Sequence, residues 1–364
     1  MKYDRRISRQ TADQLPALHS NGHHSWLRLI LSGGSLLLVS IVIAVALGSV
    51  HIKPATIIQV VADRIGFAVS EPDAADRTIV LLIRMPRVIA AVLAGAGLAV
   101  SGTVMQGIFR NPLAEPGILG VSAGASFGAL LAIAGGLSSF FTLPIFAFTG
   151  AMLAVSLIIG VAFSAGHQSK AVTLIMSGLA ISALFSALTS LTLMMSNEYQ
   201  VSSYIFWTMG GLANRRWEHV LAMLAPVLIA LTVIFIKARD LDILLLGDEE
   251  AKALGVSPNT TRLAMIILAS VCTGSIVAVT GPIGFVGLII PHIMRLIVGP
   301  SHRILSIASA FAGAVFLLFC DLLTRLIAWP TGAELSVGIV TALIGAPYFL
   351  YLLFRSARKG GGLL

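Results

Sequence analysis

Residues 86–109 read PRVIAAVLAGAGLAVSGTVMQGIF, an apolar stretch whose one charge, Arg87, lies at its start. As an α-helix rising about 1.5 Å per residue it is long enough to cross the ~30 Å hydrocarbon core of a bilayer. The chain then breaks its own pattern. Residues 110–128 read RNPLAEPGILGVSAGASFG, with an arginine, an asparagine, a glutamate, two prolines and repeated glycines. Pro112 and Pro116 forbid a continuous helix there, and the backbone groups they free must be met by protein or water, because lipid cannot meet them. The two stretches together describe a membrane helix that ends in a protein-lined break.

Outward from this pair, apolar runs recur along the chain. Hydrophobic residues make up 57% of the 364 positions, charged residues 11%, and mean hydropathy is +0.95; an ordinary soluble domain carries about 25% charged residues. The runs predict ten helices, near 28–48, 86–109, 117–135, 140–165, 171–196, 218–237, 263–281, 284–298, 303–328 and 335–355. The eighth is short, and GPIGFVG before it predicts a re-entrant or broken start. The chain is thus an all-α polytopic membrane protein, with a polar N-terminal tail at 1–27, a ten-helix domain at 28–355 and a short tail at 356–364. The tail lacks the apolar core of a signal peptide, and its HSNGHH reads as solvated rather than metal-binding.

Ten spans put both termini on one side. With the N-terminus inside, sixteen of the 24 lysines and arginines fall on the inner side, which favours N-in and C-in. The net charge of +8 is explained the same way, without nucleic acid. Two polar excursions stand out. The outer one, 51–83, opens with a surface helix after Pro54. The inner one, 238–262, is longer than a passive connector needs. Within it Asp248, Glu249, Glu250, Ala251, Lys252, Ala253 and Leu254 read as a short helix, with acids at its positive end and Gly255 as its stop; DILLLG before it reads as another. Such a pair is either a solvated connector or a rigid surface for a partner to push on.

Other motifs exclude more than they assign. GVSAG, Gly120–Gly124, matches the G-x-S-x-G elbow around Ser122, but that elbow needs a strand before it. Gly120, Gly124 and Gly128 instead recur every four residues, which places them on one helix face for close packing. The chain has no P-loop, no H-E-x-x-H and no C-x-x-C. Cys272 and Cys320 lie in apolar runs as small core residues, and His292 reads as a packing residue. At the outer ends, Arg84 and Arg87 are three apart on one helical face, and Asp321 and Arg325 are four apart and can pair. These arginines serve either as interfacial anchors or as a patch that receives carboxylates.

RMPRVIAAVLAGAGLAVSGTVMQGIFRNPLAEPGILGVSAGA, LGDEEAKALGV, GPIGFVGLIIPHIMRLIVGPSHRIL and AELSVGIVTALIGAPYF, in this order, resemble the permease subunits of ATP-binding-cassette importers for cobalamin, haem and ferric siderophores. The resemblance covers about 28–355. It implies a homodimer with one path at the interface, two copies of a separate ATPase, a periplasmic binding protein that delivers cargo, and residence in a bacterial inner membrane. It implies no cofactor on this chain, with ATP and magnesium used by the partner. The inner loop then forms coupling helices, through Asp248, Glu249, Glu250, Ala251, Leu254 and Gly255. Asn111 and Leu113 then close the cytoplasmic end of the path, and Arg84, Arg87 and Arg325 receive the binding protein. The sequence departs from relatives at Ser336, where they often have proline, and in GHQSKAVT (166–173), which differs from the Ser/Thr-rich loop of cobalamin permeases. The expected cargo is an iron chelate, haem ahead of ferric siderophore, with cobalamin third. The rival readings are an ion-coupled secondary transporter, which needs acids deep in several spans, and an intramembrane hydrolase using Ser122.

Overall fold

The computed structural model describes residues 22–48, 52–64, 66–67, 73–137, 139–164, 170–331 and 334–358. The first 21 residues, residues 166–169 of the GHQSKAVT loop and the last six residues lie outside them. All regular structure among the described residues is helical. The elements are α1 (Gly22–Ala46), α2 (Pro54–Arg64), α3 (Ala74–Phe109), α4 (Val121–Ala134), α5 (Thr142–Ser164), α6 (Lys170–Met194) and α7 (Glu198–Thr208). They continue with α8 (Trp217–Ile236), α9 (Ala238–Leu244), α10 (Asp248–Ala253), α11 (Pro258–Thr280), α12 (Val286–Val298), α13 (His302–Thr331) and α14 (Val337–Arg358). Eight are long and apolar enough to cross a membrane; α4 and α12 are apolar but shorter, and stand where the third and eighth spans are expected.

Both short helices begin at a break. A 3₁₀ turn over Pro116–Leu119 precedes α4, and Gly120 separates the two with a left-handed φ of +66°. Irregular backbone between α11 and α12 holds Gly281 at +71° and Phe285 at +69°. The broken start of the eighth span is present.

The helix α3 is the hub. In its most apolar window 83% of residues are buried, against 17% for α1 and 22% for α14. Small residues make this possible. A Cβ on Gly95 would overlap the carbonyl oxygen of Gly313 on α13, and one on Gly102 that of Gly287 on α12. Backbones meet directly there, so van der Waals contact replaces the hydrophobic drive that lipid removes. The same holds for α4 on α5, where Gly124 meets Gly150 and Gly128 meets the Phe146 carbonyl. Gly120 precedes α4, where its left-handed backbone is what the turn requires, and like Gly124 and Gly128 it faces α5, against Ile158 and Ala154.

Two helical features differ from the sequence reading. The helix expected to start at 86 starts at Ala74 and passes through a π turn over Ile79–Arg84. Pro86 cannot donate to Leu82, and the wider turn absorbs the defect. The Met85 N–H reaches back to Val80, which frees the Leu81 carbonyl, and Trp217 Nε1 donates to it at 2.8 Å. The helix α7 is an addition. Its capping box pairs the Asn197 side chain with the Gln200 N–H, and the Gln200 side chain with the Asn197 N–H.

Candidate functional site

The candidate residues gather at the two ends of the bundle and at the break after α3. At the end where α1 finishes, the last carbonyls of that helix need donors. Arg84 Nη1 donates to Val45 O at 2.6 Å and Ala46 O at 2.9 Å; Arg325 Nη1 donates to Ala44 O at 2.8 Å and Leu47 O at 3.0 Å. Two cations thus cap the negative end of the helix dipole. Asp321 on α13, fully buried, joins the group: Arg87 Nε donates to its Oδ1 at 2.9 Å, and Arg325 Nε lies 3.2 Å from Oδ2, off-line for a hydrogen bond but close enough for an ion pair. Arg87 also holds Glu334 at 2.8 Å. The pairing of Asp321 with Arg325 is as the sequence suggests. Arg84, Arg87 and Arg325 are buried, 5%, 8% and 7% exposed, with Arg84 turned to the end of α1 and Arg87 to Asp321 of α13.

Beside this knot lies a cavity of about 820 Å³. Its polar lining includes Arg87, Arg215, Arg216 and Glu334, and its aromatic lining includes Phe140 and Trp207. Burial first, and then the neighbouring Arg87, pull the Arg215 guanidinium down to about 10, which still leaves it charged at neutral pH. Arg215 Nε and Trp207 Nε1 are buried with no hydrogen-bond partner among the described residues. Neither residue was singled out from the sequence; the doublet Arg215–Arg216 after the small-residue run GGLAN was the available signal.

At the break, α3 ends on Arg110, left-handed at φ +47°. The Asn111 N–H reaches back to Gln106 O at 3.2 Å, and Asn111 Oδ1 accepts the Leu113 N–H at 2.9 Å. Asn111 is exposed and Leu113 half-buried. The side chain of Asn111 therefore shapes the turn that presents Leu113. Burial pushes the Glu115 carboxyl above its usual range.

The 238–262 insertion folds as two short helices, as its pattern predicts. In α10, Asp248, Glu249 and Glu250 occupy the first turn and Ala251 is buried as the anchor. Gly255 ends it at φ +80°, with its N–H on Lys252 O and the Val256 N–H on Ala251 O. Arg262 of α11 grips Asp248 with both Nη atoms, one at 2.8 Å, and this grip is the main cause holding that carboxyl below its usual range. In α9, Asp242 Oδ1 accepts from the His302 backbone N–H at 2.8 Å and lies 2.7 Å from His302 Nδ1. Leu246 and Leu254 are left 63% and 59% exposed.

No cluster of three or more metal-ligating side chains occurs among the described residues. Ser122 sits in the first turn of α4, behind a 3₁₀ turn rather than a strand, so the hydrolase elbow is not built.

The model of the FecCD transport family matches residues 36–355, nearly the whole chain. The chain belongs to the FecCD transport family. The cobalamin import system permease protein of Halobacterium salinarum is 43% identical over 76% of this chain and 73% of its own. The hemin transport system permease protein of Yersinia pestis is 40% identical over 78% of this chain and 85% of its own. A metal-chelate-type ABC transporter solved in an inward-facing conformation is 34% identical, covers 90% of this chain and 99% of its own, and superposes with a TM-score of 0.80. This FecCD permease is therefore a multi-pass membrane subunit of an ABC importer. It has no catalytic site of its own, and ATP is used by a partner ATPase.

Proposed function

We propose that this permease carries an iron chelate from periplasm to cytoplasm by alternating access, as a homodimer of ten-span, N-in and C-in subunits. Asn111 and Leu113 close the cytoplasmic end of the path, and α9 and α10 receive the ATPase. The observation that carries this assignment is the pairing of exposed leucines with exposed acids on the insertion: Leu246 and Leu254 lie open beside Glu249 and Glu250. Large apolar side chains exposed at the ends of short helices outside the apolar spans suit a protein partner rather than solvent. Co-purification tests it. The tagged chain, solubilised from its native membrane, should bring a P-loop ATPase in equal amount; a chain that purifies alone as a stable dimer contradicts the assignment.

The outer cavity bears on cargo. A molecule entering there meets three guanidinium groups, one carboxylate and an aromatic wall. That lining suits a cargo with carboxylates and a flat apolar body, and so supports our ranking of haem ahead of ferric siderophores, with cobalamin, whose side chains are amides, third. Uptake into liposomes holding the permease, its ATPase and its binding protein, with haemin, a ferric siderophore and cobalamin compared side by side, decides the order. The same cationic mouth supports docking of binding-protein carboxylates at Arg87, with Arg84 and Arg325 behind it: Arg87, Arg215 and Arg216 line the cavity beside one carboxylate, Glu334. Arg87→Glu should weaken that docking, and added salt should narrow its difference from wild type.

A further inference from the structure

The last turn of α3, one residue before the break, is fastened to the first helix of the insertion from two sides. Arg110 Nη2 donates to the Leu244 carbonyl at the end of α9, at 2.7 Å. From the other side Asp242 of α9 holds the backbone N–H and ring of His302. The His302 ring, 1% exposed, wedges its Nε2 against Gly107 so closely that a Cβ on that glycine would overlap it. Gly107 and Arg110 are the acceptor and donor of the turn that ends α3, through the Arg110 N–H on Gly107 O at 3.3 Å.

We infer that Arg110 and the Asp242–His302 pair are the link through which movement of α9 reaches the Asn111–Leu113 gate, an inference that rests on the importer reading above. The geometry gives each part a task. Arg110 fixes the distance between the end of α9 and the end of α3. A guanidinium on a backbone carbonyl is a charge-assisted bond and resists pulling better than a neutral one. His302 transmits push where Arg110 transmits pull: its ring, oriented by Asp242, is packed against the α3 backbone with no side chain between them. Asn111 follows Arg110 directly, so a shift of α9 changes where the gate turn begins. These are positioning residues and touch neither cargo nor nucleotide.

The conformation of Arg110 supplies a clean test. At φ +47° an arginine is strained and a glycine is not, so Arg110→Gly removes the link while favouring the helix cap. A reporter thiol is introduced by Ala114→Cys, at a position 1% exposed within the break, while the natural Cys272 and Cys320 are fully buried. The permease is reconstituted with its ATPase in liposomes and labelled with a charged methanethiosulfonate, without nucleotide and after trapping with ATP and vanadate. In the reporter protein the two labelling rates should differ by about tenfold or more. Adding Arg110→Gly should collapse the difference while the ATPase stays bound and still hydrolyses ATP, and Arg110→Lys should restore part of it. Asp242→Ala should act like Arg110→Gly, whereas Asp242→Asn, which keeps an acceptor for His302, should not. A labelling difference that survives Arg110→Gly and Asp242→Ala together overturns the link. So does loss of the ATPase from Arg110→Gly, which would make Arg110 part of the contact surface. A reporter protein that binds no ATPase at all overturns the importer reading, and the link falls with it.

Discussion

Asp321 is the residue whose loss the arginine knot can least absorb. It is fully buried, and it faces Arg87 at 2.9 Å and Arg325 at 3.2 Å. Asp321→Ala leaves two guanidinium groups in a buried site. Arg325 keeps the α1 carbonyls and Arg87 keeps Glu334, but Glu334 is 42% exposed, so solvent screens its charge. Removing one partner of a buried ion pair costs about 3–5 kcal/mol. Asp321→Asn retains an oxygen that can accept from Arg87 Nε and gives up only the charge, so about half that loss is expected, because neutral hydrogen bonds are roughly half as strong as charged ones. Glu334→Gln touches the exposed partner and should cost no more than about 1 kcal/mol. The assay is thermal unfolding of the detergent-solubilised permease. Asp321→Ala should melt roughly 4–7 °C below wild type, with Asp321→Asn between the two and Glu334→Gln close to wild type. If Asp321→Ala and Glu334→Gln shift the midpoint equally, burial does not set the strength of this knot and the reasoning fails.

Gly102 and Gly160 both lie in helices, yet a Cβ at Gly102 overlaps the Gly287 carbonyl while one at Gly160 meets nothing within 4 Å. Gly102→Ala should destabilise by about 1–3 kcal/mol or more and Gly160→Ala should stabilise by about 0.5–1 kcal/mol; the same melting assay reads the opposite signs. Asp248→Arg with Glu250→Arg should release the ATPase during co-purification, since it reverses two of the three acids of α10 and breaks the grip of Arg262; full retention would remove α10 from the contact. Burial alone would raise the Asp242 carboxyl, but hydrogen bonds from the His302 ring and backbone and from Ser301 outweigh it and hold that carboxyl below its usual range. A depressed carboxyl stabilises above its unfolded value of about 3.9 and loses that contribution as pH falls through the lower folded value. Protection of the His302 amide in hydrogen exchange should therefore hold from neutral pH down to about pH 5; its loss near pH 6 would contradict the assignment.

Much of the membrane architecture was legible because lipid imposes length and apolarity on every span, and these are properties of composition. The 238–262 helices were legible too, since Gly247 and Gly255 punctuate them and Asp248, Glu249 and Glu250 mark a helix start. What failed was local geometry that one residue alters. Pro86 looks like a first-turn proline, yet the helix runs through it from Ala74, because a π turn redistributes the hydrogen bonds that the proline denies. The capping box Asn197–Gln200 was readable and marks the helix α7 that the sequence reading lacked. The partners of the arginines were not readable. Arg87 and Asp321 are 234 positions apart, and nothing in a single chain says which of several apolar runs pack together.

The two ends of the bundle are built to different energetic standards. At the α1 end, the charges of Arg84, Arg87, Arg325 and Asp321 are buried and tied to one another or to the carbonyls of α1. Opening that knot separates charges away from water, which is expensive. At the insertion end the ion pairs Lys237–Asp240 and Lys252–Glu249 are short-range and open to solvent, and solvent screens such pairs. Water replaces their partners readily when the helices shift. The contacts that lead from α9 and α10 into the bundle, Arg110 with Leu244, Asp242 with His302 and Asp248 with Arg262, each include a charged side chain and are partly sheltered. Shifting α9 and α10 therefore breaks few costly surface pairs, while those three contacts and the buried Ala238, Leu241, Leu244 and Ala251 hold the two helices to the bundle.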